Sequence, residues 1–369
     1  APSLKDCVSC RTGCLDCDPC RNPRGWLNAG YLLWWAKSSD LPVLATTSSD
    51  PNGTGNLDEA ATAIVFGGTS INGEARGGGK FDAGWWLDGG QHSALQMTYF
   101  FLGEKEESFF GSQEKYPILA RPFFNVETAA EDARLIADPN VADGSMNLRA
   151  VTQLHTSALA YRHLLSRRPG CRIDYLLGYR FAYLGDSVYI AHSSTSLEDA
   201  DLGTVVDLTD SFETRNTFHG GEIGFELQQQ LDHNWSCVLS ARIAIGGSRS
   251  ETQISGSTST DDGDTIDTTS SGLLVQDSNR GVFRDNDFNT VSDFGITLSR
   301  RITDHISLSF SYNFLFWSHV LRASEQIDRN VNPTQIPPGP LMGAPLPAFP
   351  NDSTSYWAHG INFNIAGQF

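Results

Sequence analysis

The sequence has no long hydrophobic run. A membrane-spanning helix needs about 18 or more consecutive apolar residues. The longest candidate, Ala29 to Ala36, is far shorter. Positive charge is also scarce: 26 Lys and Arg face 43 Asp and Glu, for a formal charge of −17. An acidic chain repels phosphates, which argues against nucleic acid as a partner. Charged residues make up only 19% while aromatics reach 11%. A disordered chain would show the reverse. Methionine is nearly missing, at 3, whereas glycine reaches 35. Long stretches of Gly, Ser, Thr, Asn and Asp favour turns and strands over helices. The sequence opens on Ala1-Pro2-Ser3, the kind of start a signal peptidase leaves, so export is expected. A length of 369 residues by itself suggests two soluble domains.

What is present is period-two alternation, the mark of strands with one apolar face. From Cys171 to Tyr183 the odd positions are Cys, Ile, Tyr, Leu, Tyr, Phe and Tyr, against Arg172, Asp174, Gly178 and Arg180. Ile306 to Phe316 alternates with Ser307, Ser309, Ser311 and Asn313. Trp235 to Ile245 and Trp357 to Phe369 repeat the pattern. Strands are expected near 26–37, 80–88, 92–103, 147–165, 171–191, 212–231, 234–254, 288–301, 305–317 and 355–369. Runs of about 9–11 residues with one apolar face have the size of membrane-spanning strands.

The connections select among all-β folds. Four are tight: Asp88 to Gln91, Ser166 to Gly170, Leu231 to Asn234 and Ile302 to His305. Five are long: 38–79, 104–146, 192–211, 255–287 and 318–354. Short and long alternate, as in an outer-membrane barrel with periplasmic turns and external loops. The expected fold is all-β, a transmembrane antiparallel up-and-down β-barrel of ten strands over 26–369. Residues 1–25 form a cysteine-rich periplasmic extension. Phe369 ends an alternating strand, and a terminal aromatic there resembles the signal read by the barrel assembly machinery. The five loops hold 29 acidic and 9 basic residues, so the excess negative charge lies outside the cell.

Several stretches resemble the planctomycete outer-membrane beta-barrel proteins, a family known as beta-barrel porins. They are Tyr31 to Trp35, Gly84 to Asp88, Phe100 to Gly103, Pro117 to Asn125, Leu177 to Arg180 and Phe212 to Asn216. Tyr312 to Trp317, Gln326 to Asp328 and Val331 to Thr334 complete the set. The resemblance implies a fold, a location in the outer membrane and contact with its lipid. It implies no defined substrate, and it does not reach the first 25 residues.

A ten-stranded barrel is narrow. Eight-stranded barrels are filled by side chains, and open channels appear at 16–18 strands. The expected lumen network is Lys80, Asp82, Arg149, Arg172, Asp174, Arg180, Glu222, Glu226 and Arg242, with Glu213 and Arg215 near the external rim. Charges of both signs at such spacing pair and fill the lumen. The sharper alternative is a narrow porin for small solutes. The loop 104–146 carries Pro117 to Asn125 and Ala133 to Ile136, whose apolar content suggests a cap, a plug or a partner-binding surface. The loop 318–354 is Pro-rich and should run extended, and 255–271 reads as a solvated tip.

Five cysteines, Cys7, Cys10, Cys14, Cys17 and Cys20, stand close together. Their spacing suits a metal site, but an exported segment favours disulfides. Cys171 and Cys237 fall near periplasmic turns, with one strand expected between them. That distance is too great for a direct bridge. Seven cysteines is an odd number, so one thiol is free, ligated or paired with another chain. A homo-oligomer, even a disulfide-linked one, is therefore expected. Asp261-Asp262-Gly263-Asp264-Thr265-Ile266-Asp267 and Asp285-Asn286-Asp287 could bind calcium, but neither fits an EF-hand, and a solvated loop is the plainer reading. No cofactor is expected. His192, Asp207, Asp210 and His219 sit near one loop and would be the residues of an omptin-like surface enzyme. No catalytic motif supports one, and no enzyme is expected.

Overall fold

The computed structural model describes residues 23–336 and 340–369. Ten long strands carry the architecture. They are β1 (Gly25–Ala36), β2 (Arg76–Trp86), β3 (Ser93–Ser112), β4 (Ala142–Arg168) and β5 (Cys171–Ser196). After them come β6 (Val205–Gln230), β7 (Trp235–Asp261), β8 (Gly281–Arg301), β9 (Ile306–Leu321) and β10 (Ser353–Gln368). Each pairs antiparallel with its chain neighbours, and β10 pairs with β1, giving a sheet ring of ten strands. No α-helix occurs among the described residues.

The ring is staggered. Stepping from partner to partner, Gly25 leads through Trp85 and seven further residues to Trp357, whose carbonyl accepts the Lys37 N–H. The circuit thus rises from residue 25 to residue 37 of the same strand. A stagger of that size in ten strands corresponds to a tilt of about 40°. It also ranks every side chain by height above the short turns.

That ranking exposes an inversion. On β6 the odd positions point outward and the even ones inward. Near its turn the outward residues are Leu227, Phe225 and Ile223 and the inward ones Glu226 and Glu222. Farther up, Arg215 and Glu213 point outward while Phe218, Phe212 and Leu208 point inward. On β4, β6 and β7 the sense of the amphipathicity reverses partway up, whereas β1 keeps an apolar outer face throughout. On β3 a bulge joins in. Leu102 opposes Leu154 and Lys105 opposes Thr152, so one extra residue is accommodated between them. The face of each later residue therefore flips, and Glu104 and Glu106 point outward.

The reversal corrects the expected boundaries. Positions 192–211 are mostly not loop: β5 and β6 stay paired up to Thr195 and Val205. Likewise β3 and β4 reach Ser112 and Ala142, and β7 and β8 reach Asp261 and Gly281. The apolar outward face ends before the hydrogen-bond ladder does. The order of short and long connections is as the sequence predicts. One ring with its loops replaces the two domains suggested by length.

The long loops fold over one end of the ring. Ala45–Ser48 and Thr62–Phe66 from the first loop pair with each other, and Ala45–Ser48 also pairs with Leu119–Asn125 of the second. Leu119–Asn125 pairs in turn with Ala130–Ala137 and, in parallel, with Asn330–Val331 of the last loop. Three loops separated by long stretches of sequence thus share one small sheet.

Candidate functional site

The interior nearest the short turns holds the charges. Arg162 bridges Asp174 at 2.6 Å and Glu226 at 2.7 Å. Arg172 reaches Asp174 at 2.7 Å. Arg242 binds Glu226 at 2.6 Å and approaches Glu222 at 3.7 Å. Arg180 pairs with Glu222 and Asp293. Asp82 accepts hydrogen bonds from Trp26 (2.7 Å), Gln96 (2.7 Å) and Thr98 (2.8 Å). Lys80 lies within electrostatic reach of Asp293, Asp82 and Glu226. Five cations and five carboxylates therefore balance. Asp174, Arg180, Glu222, Glu226 and Arg242 are all buried.

The sequence places most of this set correctly, with three corrections. Arg149 lies on the outer face, where it pairs with Glu104 and Glu106. Glu213 and Arg215 also lie outside, paired with each other at 3.3 Å. All three stand above the inversion, where charge has moved to the outer face. Two members were missed, Arg162 and Asp293. Both follow from alternation: Asp293 is out of phase with Phe294, Ile296 and Leu298, and Arg162 is out of phase with Tyr161 and Leu159.

Above the charges the lumen is apolar. Leu32, Trp34, Phe100, Leu102, Leu154 and Leu184 pack with Phe218, Val291, Leu315 and Trp317 in one buried cluster. Trp34 donates its indole N–H to Asn362 at 2.6 Å. A second cluster fills the mouth. There Leu148, Val188, Ile190, Leu208, Phe212 and Ile254 of the wall meet Leu41, Leu44, Leu119, Phe123 and Ile136 of the loops. Pro117 to Asn125 is thus a folded cap that enters the mouth. Leu273, Leu274 and Val275 join the same core. They were missed, although they are the apolar island beyond a Ser- and Thr-rich tip.

Two buried arginines fasten loops to wall. Arg121 of the second loop binds Asp210 of β6 at 2.5 Å, with both side chains almost fully buried. Asp210 also accepts the Val275 N–H at 3.0 Å. His192 Nδ1 lies 3.4 Å from the same guanidinium. Burial first, then the charges of Arg121 and Arg134, holds His192 well below the usual histidine range. Arg322 of the last loop pairs with Asp186 of β5.

The proposed catalytic residues do not converge. His192 and Asp210 point into the mouth, whereas Asp207 and His219 are exposed on the outer face. His219 is bonded there to Tyr179. In the acidic tip the Asp262 carboxylate is turned back on its own chain, accepting from the Asp264 and Thr265 N–H groups at 2.9 and 2.6 Å. Asp285 and Asp287 are exposed on β8. Cys171 and Cys237 form no disulfide among the described residues and face Gln229 from either side. One strand lies between them, as expected. The roles assigned to Cys7, Cys10, Cys14, Cys17 and Cys20 concern residues outside those described. Phe369 closes the ring's seam: its carbonyl accepts the Gly25 N–H at 3.0 Å and its ring lies 6.1 Å from that of Trp85.

Solved structures with a similar fold include the outer membrane protease OmpT from Escherichia coli. It has a TM-score of 0.45 at 6% identity, covering 94% of this chain and 97% of that one. The toluene transporter TodX from P. putida follows at 0.25 and 8%, covering 94% and 90%. The monoaromatic hydrocarbon channel CymD scores 0.24 at 8%, covering 94% and 89%. No curated protein matches. These likenesses are loose, and a family match is far stronger: the model described as "Putative beta barrel porin-7 (BBP7)" matches residues 26–369.

Proposed function

The chain belongs to the beta barrel porin-7 family, and from that premise we propose a structural and interaction component of the outer membrane whose lumen is sealed. The observation that carries this reading is the stacking inside the ring. A neutral charge network lies below, and two buried apolar clusters lie above it. A conducting pore needs a continuous wetted path. Here the interior apolar side chains reach from the upper lumen into the loop sheet. The outer-membrane lipid would face the belt of Leu227, Phe225, Ile223 and their counterparts on other strands. Phe369 would serve the assembly machinery. The acidic exterior and the folded loop sheet would be the surface offered to partners, with a homo-oligomer the first to test. We assign no cofactor and no reaction. The division of His192 and Asp210 from Asp207 and His219 by the wall supports that.

The test is planar-bilayer recording on purified monomer. The sealed reading predicts a flat baseline, broken only by rare transients. Steady open-channel currents would overturn it and establish the narrow porin. That second reading draws its support from the charged residues lining the lower lumen.

A further inference from the structure

Between the two apolar clusters lies a small layer of buried polar side chains, several of whose donors are unpaired. Arg76, at the start of β2, is 4% exposed. Its Nη2 donates to the Asn72 carbonyl at 2.5 Å, while its Nε and Nη1 are buried without a partner. No carboxylate lies within salt-bridge distance of it among the described residues. Its electrostatic neighbours are Arg322, Asp186 and Tyr356. Arg322 spends its Nε on Asp186 and its Nη1 on the Lys37 carbonyl at 3.3 Å, leaving Nη2 buried and unpaired. Its guanidinium sits 5.5 Å above the Tyr356 ring. The Tyr356 hydroxyl is unpaired too, as is the indole N–H of Trp317, its cross-strand partner. The unused acceptors beside these donors are Asp186 Oδ1 and Asn72 Oδ1, of which only the first carries charge.

The charge count points the same way. Two guanidinium groups face one carboxylate, for a net charge of one positive. Beyond them Glu325 and Lys37 offset each other, and Asp40, exposed and hydrogen-bonded by Ser70, acts through solvent. An uncompensated buried charge is strongly destabilising, and unpaired buried donors add to that cost. Water can bond donors but brings no charge. A small anion supplies both.

We infer that this layer binds a small inorganic monoanion, held between Arg76 and Arg322 with Tyr356 as a further donor. Bound there, the anion ties the first loop, the last loop and the wall together. It is a structural ion, and its affinity adds directly to the stability of the folded state.

The probe is chloride. Thermal midpoints of the detergent-folded protein are measured in sodium chloride and sodium gluconate mixtures at constant ionic strength. The expected result is a saturable rise of the midpoint with chloride. It runs opposite to the general salt order, in which the more strongly excluded anion stabilises. In Arg76→Gln the rise disappears. Equal midpoints in the two salts, or a chloride-dependent rise that survives in Arg76→Gln, would overturn the inference. If Arg76→Gln does not fold, anomalous diffraction from the wild-type protein in bromide decides. A bromide peak between Arg76 and Arg322 supports the site, and no peak there overturns it.

Discussion

The two halves of the ring solve opposite problems with one ladder of strands. Near the short turns the outer face is apolar and the inner face charged. Toward the loops the outer face is charged and the inner face apolar. On the proposed reading the outer face follows the surrounding solvent, lipid below and water above. The inner face follows what fills it. Below, six strands send in charges that balance one another. Above, four loops bring their own apolar side chains, and the wall meets them with Phe212, Leu208 and Ile190. The upper half is a soluble β-barrel core built on top of a membrane one. The halves should therefore respond differently to the same kind of change.

The largest difference should come from removing one partner of a buried ion pair that joins loop to wall. Asp210→Asn leaves Arg121 buried without its counter-charge and weakens the tie to Val275. Such a loss costs about 3–5 kcal/mol. Limited proteolysis should then cut the second and fourth loops while the ring keeps its resistance to unfolding in detergent. Loss of the whole ring along with the loops would show that the halves are not separable.

Next comes a charge placed on the outer face. Ile223→Arg puts a cation in the apolar belt, at a cost of roughly 2–4 kcal/mol near the bilayer midplane. Arg215→Leu on the same face of the same strand, above the inversion, should change stability by about 0.5 kcal/mol or less. Folding titrations in lipid vesicles measure both. Equal costs would place the lipid boundary somewhere other than the inversion.

The sequence makes the lower half legible because one rule governs it. Lipid demands an unbroken apolar stripe, so Tyr175, Leu177 and Tyr179 on β5 announce themselves against Asp174 and Arg180. Ring size, turn order and most of the charge network follow from that stripe. The upper half breaks the rule without breaking the strand. Reading charge as interior then puts Arg149, Glu213 and Arg215 on the wrong face. Gly103 and Glu104 add a phase shift that period-two reading does not register. The loop sheet pairs Leu119–Asn125 with Ala45–Ser48 and Asn330–Val331. Those contacts are non-local, so no window of sequence contains them.

The smallest effect concerns pH and belongs to the upper half alone. His192 is buried beside Arg121, and burial together with the charges of Arg121 and Arg134 disfavours its protonated form. Its folded pKa therefore lies below its unfolded value, which is about 6.5. The unfolded state takes up the proton first as pH falls. The stabilising contribution is complete above about pH 6.5 and is lost below it, by at most about 1.4 kcal/mol per pH unit. Protease resistance of the loops should decline between neutral pH and mild acid. In His192→Gln the decline should be absent. A decline of unchanged size in that variant would assign the proton to another group.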